Sequence, residues 1–170
     1  MKTKYSTKDI VLTGLGMALV FISTLYIQIP NATQGYFNLG DGFILLFASI
    51  VDPVYAFLIG GLGSALADVA GGYAYYFIPT LLTKGLEGIV VSYLFKKYSK
   101  KIQLPAYFLG GCIMVFGYFL AKIYLTGSIP TAFTEVPGNI FQGLAGIIIA
   151  YICYPIIFRI FVIQLYSNWR

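Results

Sequence analysis

The chain has 170 residues, 59% of them hydrophobic and only 10% charged, with a formal net charge of +5 and a mean hydropathy of +0.83. Soluble domains run at about 45–50% apolar and about 25% charged, so a water-soluble globule of this composition would lack the polar surface it needs. There is no histidine, no GxxxxGKS or GxxxxGKT loop, and Cys112 and Cys153 stand far from any CxxC spacing. Histidine acid–base chemistry, a metal centre and ATP hydrolysis by this chain are therefore not expected, and the cysteines read as packing residues.

Residues 10–40, 102–121 and 136–158 carry no Asp, Glu, Lys or Arg, and a bilayer core of about 30 Å needs roughly 20 apolar residues per helix. Breakers divide the chain into six apolar segments. The first, about 8–29, ends at Pro30-Asn31; it is longer than a signal-peptide core and further spans follow it, so it reads as a retained helix. Within it Gly14 and Ala18 form a small-xxx-small pair, with Gly16 nearby, which permits close approach of another helix, inside the bundle or from a partner. Residues 31–40 are polar and carry Tyr36 and Phe37; they suit an inert connection or a lid. The second segment, about 41–51, stops at Asp52-Pro53 and rises only about 16 Å, which fits a short tilted span or a re-entrant hairpin with the third. The third runs over about 54–70 to Gly71-Gly72, the fourth over about 75–95, the fifth over about 105–126, and the sixth from Pro137 to about 161.

The expected fold is an all-α membrane protein of six transmembrane helices with a short second helix, a single domain over residues 1–170 with no room for a soluble one. A cytoplasmic N-terminus then puts Lys2, Lys4, Lys8, Lys96, Lys97, Lys100, Lys101, Arg159 and Arg170 inside, nine of the 11 basic residues, as the positive-inside rule asks. Both termini are expected to be cytoplasmic, in a multi-pass protein of a bacterial plasma membrane. The Lys96–Lys101 cluster is explained as a topology signal, and no nucleic-acid partner is expected.

Ionisable side chains inside a bilayer cost at least about 2.5–3.5 kcal/mol each at a helix centre. Counting about 1.5 Å per residue, Lys84 lies about 12 Å and Glu87 about 17 Å below the outer end of the fourth helix. Their i,i+3 spacing allows an intrahelical pair or a ligand site. Lys122 lies about 6 Å below the outer end of the fifth helix, with Tyr118 a turn deeper, and could snorkel or touch a ligand. Asn139 and Gln142 share a face of the sixth helix and are the best ligand candidates, since neutral amides both donate and accept. Asp68 lies near the outer end of the third helix, and Asp41 reads as an N-cap rather than a ligand group. Tyr73, Tyr75, Tyr76 and Phe77 at the outer mouth suit an aromatic belt or a stacking platform for a planar ligand. All these groups but Glu87 fall in the outer half. That asymmetry describes a cavity open outward and sealed inward, not a pore, which would string polar groups through the full thickness.

The segments NLGDGFILLFASIVDP (38–53) and GGLGSALADVAGGYAYYFIPTLLTKGLEG (60–88), together with the six-span length, resemble the substrate-binding S components of energy-coupling factor (ECF) vitamin transporters. The likeness covers nearly the whole chain. Its most specific parts, GxGSALAD (61–68) and PTLLxKGxEG (79–88), look most like the branch assigned to hydroxymethylpyrimidine or pyridoxine-type substrates. The resemblance implies capture of a vitamin or precursor from outside, a lid after the first helix, and ligand groups from helices four to six. The site set is then Asn139, Gln142, Lys84, Glu87, Tyr75, Tyr36 and Lys122. It also implies a transmembrane coupling subunit and two cytoplasmic ATPases, which use the ATP and Mg, so that this chain needs no cofactor and topples in the membrane to deliver its load. The family's AxxxA motif on helix one, which contacts the coupling subunit, becomes Gly14 and Ala18 here. The rivals are a structural six-span scaffold, which needs no outer polar cluster, and a secondary transporter working without ATPases.

Overall fold

The computed structural model of the chain describes residues 7–30 and 36–159. Helix α1 (Thr7–Tyr26) leads into a small antiparallel pair, β1 (Ile29–Pro30) and β2 (Tyr36–Phe37), with Ile29 opposite Phe37. Then come α2 (Gly40–Ala48), α3 (Pro53–Ala70), α4 (Phe77–Tyr98), α5 (Gln103–Thr126) and α6 (Ile129–Ile157). A π-helical turn, Leu58–Leu62, interrupts α3, and a 3-10 turn, Ala74–Tyr76, precedes α4. Among the described residues, five helices are long and apolar enough to cross a membrane. The exception is α2, whose nine residues rise about 13 Å.

The burial pattern explains why so short a helix persists. All but one residue of GDGFILLFA are buried, and Leu45, Ile44 and Phe47 join Val20, Ile59, Val91 and Ile147 in the main apolar core. Around it the longer helices turn apolar side chains outward, among them Phe116, Phe133, Phe141 and Ile148, as surfaces facing hydrocarbon must.

Helix α1 runs parallel to α3, and α2 runs parallel to α6. Gly16 of α1 faces Phe47 and Ile59, Gly42 of α2 faces Ile149 of α6, and Gly60 lies against the Lys84 carbonyl of α4. One end of the bundle gathers the β-pair, Asp68, Tyr76, Lys122 and Glu135. The opposite end holds the exposed Asp52–Lys96 pair. There α1 starts and α6 finishes, with Leu12, Leu15 and Ile157 lining one groove. Lys2, Lys4 and Arg170 lie outside the described residues, as do positions 31–35 of the expected lid.

Close helix crossings depend on glycine. A Cβ on Gly60 would stand 2.5 Å from the Lys84 carbonyl oxygen, and one on Gly88 2.5 Å from that of Ala56. Gly60→Ala must therefore push α3 off α4 or strain the π-helical turn. A loss of about 1–3 kcal/mol is expected, measurable as a lowered thermal midpoint in detergent; an unchanged midpoint would show that α3 and α4 separate freely.

The last helix corrects the sequence reading. It begins at Ile129, eight residues before Pro137, because Ser128 caps it by accepting the Thr131 amide at 3.3 Å, with Pro130 in its first turn. Pro137 sits inside the helix, as membrane helices tolerate. Glu135 is thereby carried into the helix, and it is buried.

Candidate functional site

The first turn of α2 enters the bundle at the level of the polar side chains of α4 and α6. Asp41 there is 1% exposed. Its Oδ1 accepts from the Lys84 ammonium and its Oδ2 from Gln142 Nε2 at 2.6 Å. Gln142 Oε1 in turn accepts the Asn38 backbone amide at 3.0 Å, and Asn38 Oδ1 accepts the Gly40 amide at 2.9 Å. Lys84 also faces Glu87 at 3.7 Å and lies 5.4 Å from the centre of the Tyr118 ring. A chain of contacts thus runs from the end of the β-pair through α6 and α2 to α4. Glu87 is fully buried, and its two oxygens have no hydrogen-bond partner among the described residues.

Above this floor lies a cavity of about 40 Å³, lined by Tyr36, Asn38, Asp68, Tyr76, Thr80, Tyr118, Glu135, Asn139 and Gln142. It is far smaller than the roughly 300 Å³ at which small-molecule pockets begin. Its closure has a visible cause. The Tyr36 hydroxyl, brought in by β2, donates to Asp68 Oδ1. Burial, reinforced by the Asp68 charge, holds that phenol's proton well above the ordinary phenol range. Tyr36, Tyr73, Tyr75 and Tyr76 follow one another with ring centres 4.8, 6.2 and 5.0 Å apart, and Tyr76 meets Tyr118 at 6.2 Å. On the far wall Lys122 pairs with Glu135 at 2.7 Å and reaches the Tyr76 hydroxyl at 3.4 Å. Two polar atoms in this wall lack partners among the described residues: Asp68 Oδ2 and Asn139 Nδ2.

A polar, tyrosine-lined chamber near one end of an apolar bundle is the architecture of a membrane solute-binding protein. Comparison with known proteins decides which kind. The profile of the family described as "ECF-type riboflavin transporter, S component" matches residues 4–159. The chain belongs to that family. It is thus a membrane-embedded, multi-pass S component, the substrate-binding and non-catalytic part of a transporter, and membership implies a small-molecule substrate and ECF module partners. It is 40% identical over 133 residues to a Pyrococcus woesei protein described as an uncharacterized protein in a gap 3' region, covering 76% of this chain and 88% of that one. UPF0397 proteins of Leuconostoc citreum and Streptococcus pneumoniae are 30% and 32% identical, over 55% and 61% of this chain. The chain spans only about half the length of those UPF0397 relatives, 50% and 56%.

The S component brings together three of the seven expected site residues: Tyr36, Asn139 and Gln142 line the cavity. Lys84 and Glu87 do not line it. They lie behind it, and Lys84 takes Asp41 as its principal partner, so they are not a self-contained intrahelical pair. Lys122 does not snorkel; it is 4% exposed, paired with Glu135 behind Tyr76. Tyr75 is displaced from the expected site, being half exposed and lining an outward groove with Ile78 and Leu82. The tight Ala74–Tyr76 turn sends Tyr76 inward in its place. Asp41 is no simple cap: its carboxylate makes no cap bond, and Leu39 precedes the helix without one. Sequence reading missed Asn38, Thr80 and Glu135 altogether and left Asp68, Tyr76 and Tyr118 unassigned. Cys112 is exposed on the lipid-facing side rather than packed inside. Gly14 and Ala18 both face outward from α1, whereas Gly16 packs inward.

Proposed function

We propose that this S component captures a small water-soluble vitamin or vitamin precursor, of the hydroxymethylpyrimidine or pyridoxine class, from outside the cell. It releases the ligand inward through a transmembrane coupling subunit when two cytoplasmic ATPases hydrolyse ATP with Mg. In this reading the cavity end faces outward, the Lys96–Lys101 end faces the cytoplasm with both termini, and α2 with the turn after it makes the sixth, short crossing. The observation that carries it is the closed cavity between Tyr36, Tyr76 and Tyr118, holding two unpartnered polar atoms. Buried polar groups are normally paired, so their partners are expected to come with a ligand. Tyr36 and Asn38 then form the inner edge of a lid that must open for entry. The small volume favours a single six-membered ring. The description of the matched family favours riboflavin as a second reading, at the expense of a larger opening.

Equilibrium titration of the purified chain in detergent, without ATP, with hydroxymethylpyrimidine, pyridoxine and riboflavin tests this. One of them is expected to bind in the nanomolar-to-micromolar range, and alanine at Asn139 or Gln142 to weaken it about tenfold or more. A scaffold protein would bind none of them.

A further inference from the structure

We propose that the cavity selects a neutral or cationic heterocycle whose edge offers a donor to Asp68 and an acceptor to Asn139, and that it rejects anionic forms of the same molecule. This inference rests on the capture function above and adds the charge and hydrogen-bond pattern of the ligand.

The two unpartnered atoms are of opposite kinds. Asp68 Oδ1 is occupied by the Tyr36 hydroxyl, whereas Oδ2 is buried with no hydrogen bond of normal geometry among the described residues, the Thr80 hydroxyl standing beside the carboxylate. Asp68 is 3% exposed, so bulk water does not serve it. Asn139 Nδ2 is a buried amide donor without an acceptor. A ligand edge with an N–H beside a ring nitrogen or carbonyl oxygen would satisfy both at once, and an edge of acceptors alone would leave Asp68 facing lone pairs.

Charge points the same way. Among the described residues, no Lys or Arg lines the cavity. The two buried ammonium groups near it are already engaged, Lys84 by Asp41 and Glu87, and Lys122 by Glu135. Of the four buried acidic side chains, Asp41 and Glu135 are matched by Lys84 and Lys122, and Glu87 lies behind the cavity, so Asp68 is the acidic group of the lining that has no cation beside it among the described residues. A phosphate or carboxylate in the cavity would meet the acceptor oxygens of Asp68 and no available cation in a desolvated space. A protonated amine would be attracted, and the Tyr36, Tyr76 and Tyr118 rings offer π-faces to a flat or cationic ring.

The test uses three pairs of probes that differ only by a phosphate: hydroxymethylpyrimidine, pyridoxine and riboflavin, each against its phosphate ester, titrated into the purified full-length chain. At least one unphosphorylated member is expected to bind, with its ester at least about 30-fold weaker. Asp68→Asn, which is nearly isosteric, should weaken the unphosphorylated ligand about tenfold or more and narrow the gap to its ester. Equal binding of a ligand and its ester, or full affinity in a folded Asp68→Asn protein, overturns the inference while leaving capture standing. If Asp68→Asn does not fold, the wild-type pairs decide alone. Failure of all six probes to bind overturns the capture function, and this inference with it.

Discussion

Lys84→Met is expected to destabilise the protein by about 3–5 kcal/mol, the range for stripping one partner from a buried charge pair. The ammonium it removes is 1% exposed and lies between Asp41 and Glu87, neither of which can reach water. Methionine fills most of the volume, so the loss would report charge rather than a cavity. Asp41 would keep only the Gln142 amide, and Glu87 would keep nothing. The neutral triple variant Asp41→Asn, Lys84→Met, Glu87→Gln separates the causes. Because a buried ion cluster gains little over neutral groups of the same shape, most of the lost stability should return. Thermal unfolding in detergent measures all three proteins. A triple variant as unstable as the single one would show that packing around the lysine stem, not charge, holds α2 in place. By contrast, the exposed Asp52–Lys96 pair at the other end belongs to the class of surface ion pairs worth about 0–1 kcal/mol.

This network also marks where sequence reading stops. The long helices were legible because a bilayer imposes a length and a composition on each crossing, and five of the apolar segments became helices of crossing length. Local spacing was misleading in a consistent way. Lys84 and Glu87 share a helix face and suggest a pair, yet the stronger partner, Asp41, lies 43 residues away, and Asp41 meets Gln142 across 101 residues. No periodicity within one segment reports a contact between α2, α4 and α6. The end of α6 that carries Glu135 was hidden because Pro137 looked like a helix start, although Ser128 with Pro130 caps better. Tyr75 and Tyr76 could not be told apart either, since a 3-10 turn rotates successive residues further than an α-helix does. Asp68 stood in the most specific quoted motif, and only the hairpin's return over the bundle shows that it meets Tyr36.

The contacts so assembled link the lid to the floor. Asn38 hangs on Gln142, Gln142 on Asp41, and Asp41 on Lys84, so movement of the β-pair is transmitted to the first turn of α2 and to the middle of α4. Tyr36 holds the other side through Asp68. A ligand entering the cavity must loosen or replace some of these bonds, and the side chains that would meet it are those that hold the closed state together.

Replacing Gly14 and Ala18 together by leucine is expected to abolish uptake, bringing it to the level of cells without the transporter, while ligand affinity and thermal midpoint of the isolated chain stay unchanged. Both residues are exposed, and a Cβ on Gly14 would meet nothing within 4 Å, so larger side chains cost the bundle no packing. Ile10, Val11, Leu15 and Ile22 are exposed with them on α1, leaving an apolar face whose small residues alone permit another helix to approach closely. Two leucines would hold a coupling helix away by roughly the width of the added side chains and forfeit the contact that depends on short range. Uptake of labelled ligand in cells carrying the complete transporter, set beside titration of the purified variant, reads the two effects separately. If α1 turned this face only to lipid, uptake would survive, because hydrocarbon accommodates leucine as readily as glycine. If ligand binding fell along with uptake, the disturbance would lie inside the bundle, and the assignment of this face to the coupling subunit would fail.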